Sequence, residues 1–345
     1  TYIIADANEA WLLAVVRGKH WIAQRVPDNA IVLLSNVHII GPEADLNDTD
    51  HVIASDGLVE YAIERGWYDP DSGAPFSFRE AYNLRPSEGS FMYEQGADPR
   101  QWFSHSLVHG HLIDLPIEDQ LPFALYPDKK YSVQDLANLL RSHGHIEDQY
   151  PEMNKSYQLG MSEDVSPHHT PGIGAICSGT VQELVIYQLR NWMPAAIGSV
   201  AWRATAAPCG SVIVPWYAGI NQTPAPYFKP WPIEKALDIT RQFNPPPETF
   251  EYDPDNAFDV FNALENMIDL NYSRNVKYVR EKWDPFEEQQ FLMQGAIEEV
   301  AMKLWEQDKE LTTVFLTTYY NQQAMQALDK AKKMLNHLKS IHWAY

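Results

Sequence analysis

Three groups of residues have types and spacings that could do chemistry. The first is Thr1: a hydroxyl beside a free α-amine combines a nucleophile with its own base. The second is a set of charges at strand ends. Arg25 and Asp28 lie in the block Arg25-Val26-Pro27-Asp28-Asn29, which reads either as a grip on a substrate terminus or as a salt-bridged turn. Arg190 closes an apolar run and could hold a nucleophile or a carboxylate, with a surface arginine as the plainer reading. The third group is His109-Gly110-His111, His143-Gly144-His145 and His168-His169, with Cys177 and Cys209. No H-E-x-x-H and no CxxC or Cys/His ligand spacing is present, and loop histidines two apart are a weak ligand signal. The expectation is no metal and no cofactor. The two cysteines read as one disulfide or as two buried thiols.

Positioning such groups takes a folded scaffold, and 345 residues with 45% hydrophobic content can bury a large core. Acidic residues number 46 and basic residues 26, a net charge of −20. This balance disfavours nucleic acid, whose phosphates require clustered Lys and Arg, and anionic membrane. No stretch approaches the ~20 apolar residues of a membrane span. The sequons at Asn47, Asn154, Asn221 and Asn271 are candidate glycosylation sites. They lean the reading toward a secreted or lysosome-like compartment, with a cytoplasmic location as the alternative.

The elements follow from periodicity. Residues 1–55 read as a β-meander: apolar runs at Tyr2 to Ala5, Ala10 to Val16, His20 to Val26 and Ala30 to Leu34 alternate with turns at Asp6-Ala7-Asn8-Glu9, Arg17-Gly18-Lys19 and Pro27-Asp28-Asn29. Residues 56–172 read as helices and loops. Helical spacing covers Asp56 to Gly66 and Asp98 to Val108, Ser132 and Asp135 suggest a capping box, and 142–172 read as a long surface loop. Residues 173–220 form a second sheet segment, with strands over Thr180 to Leu189, Gly198 to Ala204 and Ser211 to Tyr217. After a Pro-rich connection over 222–248, residues 250–345 read as helices over Ala257 to Tyr272, Phe286 to Asp308 and Leu311 to His337. Strands, helices, strands and long helices make an α+β chain. Nothing in it matches a P-loop or a Rossmann turn.

Two blocks carry a resemblance. The opening runs T-Y-I-I-A-D-A-N-E-A-W-L-L, then G-K-H-W-I-A-Q-R-V-P-D-N-A, then S-N-V-H-I-I-G. Further on stand V-Q-E-L-V-I-Y-Q-L-R-N-W-M-P, V-A-W and V-P-W-Y-A-G-I-N-Q-T-P. In order and spacing they resemble the dipeptidase-A family of N-terminal-nucleophile peptidases, to which the secernins are related. The match is strong over 1–42, moderate over 173–227 and general elsewhere.

The resemblance implies a four-layer αββα sandwich as a single domain over 1–345, and hydrolysis of linear amide bonds in small peptides. It also implies an N-terminal Cys as nucleophile, with its own α-amine as base. An α-amine has an unperturbed pKa of ~7.7–8.0, close to working pH. No Cys stands at position 1, and the family's nucleophile lies far upstream of the T-Y-I-I-A-D strand. The resemblance therefore implies that the nucleophile sits on a missing segment, or on a smaller N-terminal chain cut from the same precursor by processing. Two alternatives stay open: Thr1 itself as nucleophile, and a non-catalytic secreted structural or binding homologue. Assembly into a homo-oligomer is left open. Related choloylglycine-type amidases place an Asn at the end of the corresponding strand, which implies Asn36 as a donor to the oxyanion. An Asn that merely closes a turn is the competing reading. Arg25 and Arg190 are the candidate substrate-binding cations.

Overall fold

The computed structural model describes residues 1–83, 99–111, 113–114, 121–143, 166–169, 176–228, 238, 240, 244 and 251–342. Most of the expected 142–172 loop, much of the 222–248 connection, Asn154, His145 and the His169 side chain lie outside the described residues. The described chain mixes helices with two antiparallel sheets, an α+β architecture, and divides into two compact units. Among the described residues no helix is long and apolar enough to cross a membrane.

The first unit is centred on residues 1–132. Its sheet has the order β1 (Tyr2–Ala5), β2 (Ala10–Val15), β3 (Trp21–Arg25), β4 (Val52–Ala54), all antiparallel. The first three strands fall where the apolar runs predicted them. The turn between β2 and β3 is tight: Gly18 has φ +76, and a Cβ there would lie 2.9 Å from the rings of His20 and Tyr61. The fourth strand differs from expectation. Ala30 to Leu34 is not a strand and makes one bridge, Ile31 to Leu125, while Val52–Ala54 pairs with β3 through Ile22 opposite Ala54. Alternation cannot tell which of two apolar runs reaches the free edge of β3.

One face of this sheet presents Leu12, Ala14, Ile22 and Val52 to a core. That core is completed by Val37, Ile39 and Ile40, by α1 (Leu58–Glu64) and by α2 (Phe78–Tyr82). α2 starts at Ser77, whose hydroxyl accepts from the Glu80 amide, an N-cap. The opposite face is also apolar. Tyr2, Ile4, Val15 and Ile53 project there and are exposed, and β1 as a whole is exposed on both sides. Helix α3 (Pro99–His109) matches its predicted span within a residue at each end.

The second unit contains residues 133–143 and 177–345, with the turn at Pro167–His169. Helix α4 (Val133–Leu140) follows Ser132 as expected. The sheet has the order β5 (Glu183–Leu189), β6 (Ser199–Thr205), β7 (Val214–Tyr217), with the one-turn helix α5 (Ala195–Gly198) before β6. Leu184, Ile186, Val200, Trp202 and Ala204 share one buried face with Leu316 and Ala301.

Three helices follow: α6 (Ala257–Asp269), α7 (Tyr272–Gln307) and α8 (Lys309–His342). Val260, Phe261, Leu264 and Ile268 of α6 pack on Val279 and Trp283 of α7 and on Tyr320, Ala324, Ala327 and Leu328 of α8. α7 begins fourteen residues before the expected Phe286, because the helix continues through Pro285. A proline inside a helix costs ~3 kcal/mol. Here the neighbouring turn is held from outside: Trp283 is fully buried and its Nε1 donates to the Gly210 carbonyl at 3.1 Å. Asp308 both ends α7 and starts α8, its carboxylate accepting from the amides of Glu310 (2.8 Å) and Leu311 (3.4 Å).

Candidate active site

In the first unit the segment after β3 carries Asn36 and His38. Asn36 is exposed at a bend, and its Oδ1 accepts from Arg100 Nη2 at 2.6 Å. That contact fixes the amide, so its NH2 end is the one turned elsewhere as a donor. Two residues on, the backbone of His38 is clasped by one side chain. Its amide donates to Asn83 Oδ1 at 2.7 Å, and Asn83 Nδ2 donates to its carbonyl at 3.1 Å. The imidazole stands edge-on to Phe78, centroids 5.0 Å apart. Among the described residues its Nδ1 is buried without a hydrogen-bond partner. Burial pushes the His38 pKa down to about 4. The ring is therefore neutral at pH 7.

His38 lines a cavity of about 590 Å³ with Val15, Val16, Arg17, Trp67, Ala81, Tyr82 and Asn83. A neutral imidazole in the wall of a cavity that also carries Arg17 and Asn83 can take part in seating a small ligand. Sequence reasoning passed over His38. The one available signal was its place two residues after Asn36 in the S-N-V-H-I-I-G block.

Thr1 is exposed at the head of edge strand β1. Arg25 ends β3, where its Nε meets Glu9 Oε2 at 3.1 Å and its Nη2 meets Asp28 Oδ1 at 2.7 Å. The structure thus contains the salt-bridged turn that was one of its two readings. Asp6 closes β1 by accepting from the amides of Asn8 (2.7 Å) and Glu9 (2.9 Å).

Arg190, in the second unit, is not at the surface: it is 8% exposed at the end of β5. It donates to both oxygens of Glu298, at 2.6 and 2.8 Å, and to the carbonyls of Ile197 and Gly198. Glu298 also accepts from Gln294 Nε2 (2.8 Å) and Tyr217 Oη (3.3 Å). Of the sequons, Asn47 and Asn221 are exposed, and Asn271 stands at the N-cap position of α7 with its Oδ1 buried.

The structure also gathers four residues that sequence spacing had kept apart: His143, His168, Cys177 and Cys209, whose side-chain nitrogen and sulfur atoms all lie within 4.8 Å of one another. Both cysteines are free and buried, which selects the buried-thiol reading over the disulfide. His109 and His111 form a separate tilted pair, centroids 5.7 Å apart, in the first unit.

The model of peptidase family C69 matches residues 1–284, more than half of the chain. The chain belongs to peptidase family C69. Among curated relatives, the probable dipeptidase B of Lactococcus lactis subsp. lactis (strain IL1403) is 28% identical over 282 residues, covering 77% of this chain and 52% of the relative. A probable dipeptidase of Salmonella dublin is 32% identical over 221 residues, covering 63% and 46%. Dipeptidase A of Lactobacillus helveticus is 25% identical over 249 residues, covering 69% and 46%. The chain spans about half the length of the curated relatives it matches. C69 membership bears out the dipeptidase-A resemblance of the opening and later blocks.

Proposed function

We propose that this chain is the larger part of an N-terminal-nucleophile dipeptidase that hydrolyses the amide bond of small peptides. In this reading an N-terminal Cys on a preceding segment, or on a smaller chain of the same precursor, attacks the carbonyl. Its α-amine takes the thiol proton and returns it to the leaving amine, and water then resolves the acyl-enzyme. Asn36, its amide oriented by Arg100, donates to the oxyanion. His38 on the cavity wall orients the peptide.

The observation that carries the proposal is the C69 match over residues 1–284, with relatives named as dipeptidases. The first sheet adds support. Tyr2, Ile3 and Ile4 of β1 are 62%, 65% and 54% exposed, and both faces of β1 are apolar. An apolar edge strand left open is a template for another strand, and a sheet apolar on both faces suits an inner layer of an αββα sandwich.

The test is to isolate the native protein, take its intact mass and sequence every chain, then assay dipeptide hydrolysis before and after thiol alkylation mapped by peptide mass spectrometry. The proposal expects a partner segment opening with Cys, and activity lost on alkylation of that residue. Activity that resists alkylation and vanishes in Thr1→Ala would make Thr1 the nucleophile. Absence of any hydrolysis in the assembled protein would leave a binding homologue and sink the proposal.

A further inference from the structure

The geometry points to a structural zinc site in the second unit, built from His143, His168, Cys177 and Cys209. The four residues come from different loops. His143 follows α4, His168 lies in the turn Pro167–His169, Cys177 precedes β5 and Cys209 sits in the β6–β7 connection. The distances from His168 Nε2 to the other three donors are close to those of a tetrahedral ligand set, and all four atoms lie within 4.8 Å of one another. With Zn–N about 2.0–2.1 Å and Zn–S about 2.3 Å, tetrahedral edges are about 3.3 Å for N–N and about 3.6 Å for N–S. His143 Nε2 is 3.3 Å from His168 Nε2, and Cys209 Sγ and Cys177 Sγ are 3.3 and 3.8 Å from His168 Nε2.

The surroundings orient the ligands. Asp269 receives His168 Nδ1 at 3.0 Å, which places the ring proton on Nδ1 and turns the Nε2 lone pair toward the two sulfurs. Asp269 is itself held by Ser166 Oγ at 2.7 Å, and Ser166 also takes the His168 amide at 3.1 Å. A carboxylate behind a histidine is the usual outer support of a metal ligand. Glu265 anchors the cysteine loop by accepting from the Ala207 amide at 2.9 Å, and the Cys177 amide donates to the Ser142 carbonyl at 2.9 Å. Tyr272 stands edge-on to both imidazoles.

The chemistry of the donors names the metal. Two thiolates and two imidazoles suit zinc, and with no oxygen in the set calcium and magnesium are excluded. The thiolates balance the dication, their protons passing to solvent on binding. Cys209, His168 and Asp269 also stand in the order of a nucleophilic triad. A nucleophile needs an accessible thiolate, whereas Cys177 and Cys209 are 0% and 5% exposed. With four ligands and no open position, the metal ties α4, the 167–169 turn and the loops flanking β5 and β6 together.

The experiment measures zinc by elemental mass spectrometry in the full chain purified under reducing conditions without chelator, followed by exchange with Co²⁺. One zinc per chain is expected, with intense tetrahedral d–d bands and thiolate charge transfer on Co²⁺ loading. Cys209→Ser and Cys177→Ser should lose the metal, His111→Ala should keep it, and Asp269→Asn should weaken zinc binding roughly 10–100-fold. The Co²⁺ spectrum of the unmutated chain decides the matter even where a cysteine variant fails to fold. A metal-free protein that gives no tetrahedral Co²⁺ bands would overturn the site, as would a Cys177–Cys209 disulfide that persists in the native protein.

Discussion

Replacing Arg190 with Met should destabilise the second unit by about 3–5 kcal/mol, the cost of stripping one partner from a buried ion pair. The structure explains why the loss falls at the upper end of mutational effects. The substitution removes two charge-assisted bonds to Glu298 and two more to the carbonyls of Ile197 and Gly198. It leaves Glu298, 6% exposed, with only the neutral donors Gln294 and Tyr217. At roughly 2–4 °C per kcal/mol for a unit of this size, the melting transition should fall by about 6–20 °C. Far-UV circular dichroism follows this transition directly, because α6, α7 and α8 lie in the second unit. Adding Glu298→Leu should recover most of the loss, since an apolar pair can replace a buried ion pair at little net cost. A single variant within about 1 kcal/mol of the parent would refute the argument. So would unchanged melting with a selective rise in KM for a dipeptide, which would return Arg190 to the substrate.

Other consequences are equally direct. His38 and His105 are each held at about 4, chiefly by burial, against 6.5 in an unfolded chain. The unfolded state therefore binds protons that the fold refuses. Stability is full above pH 6.5 and declines as pH falls toward 4, by up to about 1.4 kcal/mol per pH unit per histidine. Urea titrations between pH 7.5 and 4.5 should show a shallower slope in His38→Gln, and an unaltered slope would contradict the assignment. Asn36→Ala should lower kcat on a dipeptide by about 10²–10³ with little change in KM, as loss of an oxyanion donor does; steady-state kinetics that leave kcat unmoved would remove Asn36 from the mechanism. Leu264→Ala, at a fully buried position between α6, α7 and α8, should cost about 2–5 kcal/mol in chemical denaturation.

Much of the scaffold was legible in the sequence because short-range patterns decide it. Gly18 marks the β2–β3 turn by its left-handed backbone, and the alternation of Leu184, Ile186, Val200 and Trp202 marks two paired strands. The misplaced fourth strand and the extended α7 share a cause. Val52–Ala54 and Tyr272–Pro285 take their structure from what they pack against, and Trp283 bonded to Gly210 is a contact across 73 residues. Local propensity carries no trace of such contacts.

The same reasoning separates the two candidate sites. Asn36 could be named from the sequence because a block of neighbouring residues carries it, but its orienting partner Arg100 lies 64 residues away and became visible only in the fold. The Cys/His cluster is the extreme case. Its members are spread from 143 to 209, and ligand-spacing rules describe sites in which two donors share one turn. Here each donor enters from its own loop, and Asp269, which orients His168, comes from a helix 101 residues further on. Bringing four separate loops to one point carries an ordering cost that grows with the number of loops closed. Bonds at the cluster must offset that cost, and a bound dication with four ligands concentrates far more binding energy at one point than the weak hydrogen bonds available to thiols.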